Sequence, residues 1–130
     1  MYSEVTNSIK ISVDPTFMED RSEPEDFHYV WAYHIRIKNP GDDGVQLMRR
    51  HWHITDSQDR VHEVRGESVV GEQPVLEPGE SFEYTSGTPL ATPSGFMVGS
   101  YQKIDEEGKN FSVSVPAFLL DSPHDLTLIN

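Results

Sequence analysis

Apolar and polar residues alternate along most of this chain with a period of two. The run from Phe27 to Lys38 is the clearest. One parity holds Phe27, Tyr29, Trp31, Tyr33, Ile35 and Ile37, and the other holds His28, Val30, Ala32, His34, Arg36 and Lys38. That pattern predicts a strand with its aromatic face to a core. Helical spacing would scatter the same residues around a cylinder. Ile9, Ile11 and Val13 alternate with Ser8, Lys10 and Ser12 in a first strand from Val5 to Val13. Asp14-Pro15 should end it, because proline cannot donate to a ladder. Residues 16–26 are acidic and irregular and read as a loop. Asn39-Pro40-Gly41-Asp42-Asp43-Gly44 is a dense turn signal. From Val45 to Asp56 the alternation resumes, with Met48, Arg50, Trp52 and Ile54 on one parity and Arg49, His51 and His53 on the other. These two long strands read as a hairpin across the turn.

A short strand follows from Arg60 to Arg65, then a glycine-punctuated loop from Gly66 to Pro74. Leu76-Glu77-Pro78-Gly79-Glu80 has the residues of a type II turn, with proline second and glycine supplying the positive φ. Phe82 and Tyr84 begin another strand, and Gly87 to Gly95 reads as a turn-rich connection. Phe96 to Ile104 is a strand, Asp105 to Lys109 closes a hairpin, and Phe111, Val113 and Val115 alternate until Pro116. The tail from Ala117 carries Phe118, Leu119, Leu120, Leu126, Leu128 and Ile129, and should dock on the body. Seven or more short strands with regular turns and no helical segment predict an all-β domain. An antiparallel β-sandwich of immunoglobulin or fibronectin type III-like form fits best. A barrel is the alternative.

A length of 130 residues suits one domain, residues 1–130. There is no cysteine, which excludes disulfides and thiolate chemistry and leans toward the cytoplasm. No apolar run approaches the roughly 18 residues of a membrane helix, and the first ten residues lack a signal pattern. The expected localisation is therefore cytoplasmic, with no membrane partner. The formal net charge of −12 repels phosphate backbones, so no nucleic-acid partner is expected.

The run from Gly66 to Gly87 strongly resembles the ApaG family. So do Leu90, Thr92-Pro93, Gly95, Met97, Gly99 and Ser100-Tyr101 after it, and Ile35 to Asn39 and Arg49-Arg50-His51-Trp52 before it. The resemblance spans nearly the whole chain, about residues 3–127. It implies a fibronectin type III-like sandwich, a role in protein contacts, and an association with cobalt resistance and magnesium efflux.

The family's G-x-G-x-x-G element reads here Gly66-Glu67-Ser68-Val69-Val70-Gly71, with Ser68 in place of the middle glycine. That glycine would let backbone approach a phosphate, but no helix follows to lend its dipole. What remains is a weaker anion site, for pyrophosphate or a nucleotide, at Arg65, Gly66, Ser68 and Gly71, helped by Arg65 or Arg60. Arg49-Arg50-His51 is a basic patch suited to an anion or a partner. His51 and His53 share one strand face, and His28 and His34 share a face of another. Neutral imidazoles from adjacent strands could hold a divalent cation such as zinc or cobalt, although Arg49 beside His51 would repel one. No nucleophile elbow or phosphate-binding P-loop is present. The reading is a binding or interaction module, not an enzyme, with no cofactor. It would contact protein partners of unknown identity, a second copy through its edge strands, or a divalent cation or pyrophosphate.

Overall fold

Burial follows the alternation. In the computed structural model, which describes residues 2–125, strand β3 (Tyr29–Lys38) buries Tyr29, Trp31, Tyr33, Ile35 and Ile37. It lies between β2 (Ile9–Phe17) and β7 (Ser81–Leu90), and β1 (Tyr2–Thr6) completes one antiparallel sheet. The second sheet has the order β5 (Val61–Gly66), β4 (Val45–Asp56), β8 (Gly95–Asp105) and β9 (Asn110–Leu120). A two-residue strand, β6 (Val75–Leu76), pairs β4 at Val45 and Gln46. Since β8 holds the other side of β4 along its length, β5 and β6 share one edge of it. The two sheets face each other across one core, as the sequence predicts for a sandwich. Among the described residues no helix is long and apolar enough to cross a membrane.

Several boundaries differ from the sequence expectation, each for a physical reason. β3 and β4 do not form a hairpin: they belong to different sheets. Each buries an apolar parity, and the two buried faces meet across the core, where the Tyr33 and Trp52 rings stand 5.6 Å apart. The connection between them is pinned by Asn39, which is buried and donates from Nδ2 to the carbonyls of Asp43 (2.8 Å) and Leu76 (3.0 Å). The first strand is two, reversed at Asn7 and Ser8, both with positive φ (48° and 68°). β2 also continues through Pro15, because β1 reaches only Val13 and leaves the edge free where proline sits. β7 runs through Gly87 and Pro89 to Leu90 as the outer strand of its sheet. β9 runs through Pro116, which falls where the β8–β9 register shifts between Met97↔Phe118 and Gly99↔Val115. Bulges accommodate proline in this way. After the shift Phe118 and Leu120 are buried, so that part of the tail docks as expected. Leu126, Leu128 and Ile129 lie outside the described residues. Phe27 leaves the aromatic face: at φ 53° it turns out and is 71% exposed. The turn at Glu77–Glu80 is as predicted, with Gly79 at φ 87° and Glu80 N–H donating to Glu77 O at 2.9 Å.

The sandwich closes on one side, where β1 and β2 lie against β9. On the other side β7 and β5 are the outer strands, and a cleft separates them. β5 has no buried residue, so burial of its own side chains contributes little to holding it. Its ladder to β4 and the turn before it do that work. In the turn, Asp56 is 3% exposed. Its Oδ1 accepts from the backbone N–H of Gln58 (2.9 Å) and Arg60 (3.0 Å), and its Oδ2 pairs with Arg60 Nε at 2.7 Å. Burial alone would raise the Asp56 carboxyl. The two N–H donors and the Arg60 guanidinium outweigh it and hold the pKa below its ordinary 3.8. A carboxylate whose folded pKa is depressed adds stability that is fully present above its unfolded value and is lost as pH falls through the folded one. Asp56→Asn is therefore expected to cost about 2 kcal/mol near neutral pH. Its penalty should shrink as pH falls below about 4. Denaturant unfolding of both proteins across pH checks this; a penalty independent of pH would remove the ionised carboxylate as its cause.

Candidate binding site

The β4–β5 ladder brings together two segments that are separate in sequence. Arg50 pairs with Gly66 and His51 with Arg65, so the Arg49–His51 patch and the Gly66–Gly71 loop are neighbours. Together they line an open basin of about 460 Å³ with Arg49, Arg50, His51, Arg65, Gly66 and Glu67. Three of the ten basic residues of an acidic chain thus meet at one place.

A bulge sets which side chain points where. β4 pairs Leu47 with Lys103 but Arg49 with Gln102, so Met48 is the extra residue. Before it the odd positions Val45 and Leu47 are buried; after it the even positions Trp52, Ile54 and Asp56 are. The loop after β5 serves the bulge. Gln73 Nε2 donates to Met48 O (3.3 Å) and to Glu67 O (2.8 Å), and Leu47 N–H donates to Pro74 O (2.9 Å). Ser68, which replaces the middle glycine of the motif, accepts from Gly71 N–H through Oγ at 2.9 Å. Val69 N–H is likewise used, by Glu72 O at 2.9 Å. Two N–H groups that a phosphate would need are turned inward. The cationic side chains, not the loop backbone, are the donors available to an anion.

Of the three arginines, Arg49 pairs with Glu67 (2.8 Å) and Arg65 with Glu63 (2.6 Å). All four groups are well exposed, so these pairs are weak. Arg50 has no carboxylate partner among the described residues. It shares the inward parity of Trp52 and donates from Nη1 to Ser68 O at 2.9 Å. Gly66 makes room for it: a Cβ there would stand 2.5 Å from Arg50 Cζ. Arg60, a candidate helper of the loop, is instead held by Asp56 at the far end of β5.

Arg50 also lines the cleft between β5 and β7, about 420 Å³ in volume, with Tyr33, Trp52, Ile54, His62, Val64 and the Ser86–Pro89 segment. Behind it the hydroxyls of Tyr84 and Tyr101 meet across the sandwich in a hydrogen bond. Burial raises the pKa of both, and of Tyr33, against a smaller opposing pull from Arg50. All three phenols therefore stay protonated at neutral pH and act as hydrogen-bonding groups, not bases.

The histidines separate. His34 is on the outer face of its sheet, 2.8 Å from Thr85 Oγ1 and 3.4 Å from Glu83. His28 sits before β3, bridged to Glu23. His51 and His53 are on the outer face of the other sheet, so the four do not converge. Glu63, which the sequence did not single out, joins His51 and His53 instead. Alternation within Val61–Gly66 places Glu63 and Arg65 on one face, but only the register shows what they face.

A family model described as the ApaG domain matches residues 19–105. Protein ApaG of Rhodospirillum centenum is 63% identical over 124 residues, covering 95% of each chain. Protein ApaG of Paramagnetospirillum magneticum is 57% identical over 130 residues, covering all of both. A crystal structure of the ApaA protein from Bordetella pertussis superposes with a TM-score of 0.86 at 49% identity, covering 89% of this chain and 94% of that one.

Gly66→Ala is expected to push the Arg50 guanidinium from its place and to cost about 1 kcal/mol of stability. Combining it with Arg50→Ala should recover part of that loss, because the collision is with the guanidinium. A double-mutant cycle by denaturant unfolding measures this. Strict additivity would mean that Arg50 is not the reason for the glycine.

Proposed function

The chain belongs to the ApaG domain family, and from that footing we propose that it is a binding module without chemistry of its own. Its contact surface is the basin and the cleft that meet at Arg50. The occupant is an extended segment of a partner protein that carries a carboxylate beside apolar side chains. The carboxylate pairs with Arg50; the apolar side chains lie on Trp52, Ile54 and Val64. The observation that carries this reading is the position of Arg50. It is the cation of the basin without a carboxylate partner among the described residues, and it stands at the inner end of an aromatic cleft. Central arginine and tryptophan flanked by a polar rim is the pattern of an interface hot spot. Complementary charge in such a place also sets specificity. Pyrophosphate or a nucleotide at Gly66–Gly71 has less support, because Val69 and Gly71 N–H groups are used within the loop.

A second reading has one observation in its favour. The grouping of His51, His53 and Glu63 supports a direct part for divalent cations, in line with the cobalt and magnesium association that the family resemblance implies.

Titration of the labelled protein with an acidic–apolar peptide (Ile-Glu-Phe-Asp-Leu), followed by NMR, tests the partner reading. The Trp52 indole N–H is expected to shift, and Arg50→Met to weaken binding about tenfold or more. A peptide with lysine in place of both acids should leave the spectrum unchanged. If neither peptide shifts it while inorganic pyrophosphate moves the Arg49 and Arg65 side chains, the partner reading fails in favour of a phosphate ligand.

A further inference from the structure

His51 and His53 are two residues apart on β4 and point to the same outward face. Their rings stand edge to face with centroids 4.6 Å apart. Glu63 lies directly across from His53 in the β4–β5 ladder, and its Oε1 is 2.9 Å from His51 Nε2. One ligand atom from each of the three lies within 4.8 Å of the others. We propose that His51, His53 and Glu63 form a binding site for one transition-metal ion of the zinc, cobalt or nickel kind. The proposal deepens the divalent-cation reading by naming the ligands and the class of ion. It is independent of the partner reading.

The placement rests on paired strands and not on a loop. The backbone beneath all three residues is fixed by ladder hydrogen bonds, and neighbouring positions on one sheet face keep their side chains within reach. Ligands around a zinc-like ion sit about 2.0–2.1 Å from the metal, which places them roughly 3.3 Å from one another. Binding requires the three side chains to rotate until their ligand atoms, now within 4.8 Å of one another, draw in to that spacing. His51 and His53 are half-buried and Glu63 is exposed, so the outward side is open for water to complete the coordination.

The donor set chooses the ion. Two imidazoles and one carboxylate suit zinc, cobalt and nickel. Magnesium prefers a shell of oxygens and keeps its waters, so this trio discriminates against it. Two cationic side chains stand near the trio. Arg49, on the same face, is turned to Glu67 at 2.8 Å. Arg65 holds Glu63 at 2.6 Å and is the direct competitor for that carboxylate. A metal ion has to displace it, so Arg65 weakens the site while it stands there. His34, on the opposite outer face, takes no part.

Titration of the full chain with cobalt(II), followed by its visible absorption and by calorimetry, tests the site; zinc serves as competitor and magnesium as control. One ion per chain is expected, displaced by zinc and not by magnesium. His51→Ala, His53→Ala and Glu63→Gln are each expected to weaken binding about tenfold or more. His34→Ala should match the parent, and Arg65→Ala should bind at least as tightly. Thermal unfolding confirms that each variant is folded. Cobalt that binds equally well to His53→Ala, or that is lost in His34→Ala or Arg65→Ala, would place the ion elsewhere and overturn these ligands while leaving the cation reading in place. Absence of both heat and absorption with cobalt and zinc would remove the site and the direct-cation reading together.

Discussion

The extra residue at Met48 decides the facing of everything that follows it on β4. Side chains on a strand alternate, so a slip of one residue exchanges the two faces. Without the bulge, the parity that buries Val45 and Leu47 would carry on to Arg49, His51 and His53. With it, Arg50, Trp52 and Ile54 turn inward and the histidines turn out. A bulge leaves backbone groups unpaired on its strand, and here the loop between β5 and β6 serves that stretch. The Leu47 N–H reaches Pro74 and the Met48 carbonyl receives Gln73. The loop that looks like a phosphate motif is thus first of all a brace for a bulge. Its glycines do local work: Gly66 yields space to Arg50, and Gly71 adopts a φ of 80°.

That brace explains why the site can exist on so weakly held a strand. β5 buries none of its side chains and is an outer strand, yet it carries Glu63, Arg65 and Gly66. It is clamped at both ends. Asp56 fixes the entering turn through three polar contacts, and Arg50 holds the leaving loop through Ser68 O. Between the clamps it is held by the ladder to β4 and by the contact of Glu63 with His51. The large buried rings do not depend on it, since Trp31, Tyr101 and Phe118 are carried by β3, β8 and β9. The opposite flank is closed by β9 against β1 and β2.

The strands themselves were legible from period-two alternation, since a half-buried strand writes its facing into its sequence. The inward parity of Arg50 with Trp52 and Ile54 was legible for the same reason. Pairing was not. Two strands that each bury an apolar face fit a hairpin or opposite sheets equally well, and the contacts that pin their connection, from Asn39 to residues 4 and 37 positions away, are not written in the alternation. The prolines misled because their cost depends on which edge of a strand is free. Pro15 and Pro89 sit on outer edges and Pro116 at a bulge, and neither condition is local in sequence. For the site, Arg65, Gly66, Ser68, His51 and His53 could be named one by one. Glu63 could not, because its meaning comes from the residue opposite it. His28 and His34 were drawn into the histidine set by shared parity, but parity says nothing about which sheet a strand joins.

Glu63 links the histidine pair to the basin through Arg65, which lines the basin. Its carboxylate already has two suitors, Arg65 at 2.6 Å and His51 at 2.9 Å, and their hydrogen bonds hold it below the ordinary carboxylate range. A carboxylate engaged by a metal ion has less to offer a guanidinium. Occupancy of His51, His53 and Glu63 would therefore loosen the hold of Glu63 on Arg65, which already lines the basin, and add the ion's own positive charge nearby. Both changes favour an anionic group in the basin. By linkage, an acidic partner that drew Arg65 away would leave Glu63 freer for the ion, and the two effects must be equal in free energy. A cation at the trio and an anion in the basin would thus be coupled through the Glu63–Arg65 pair.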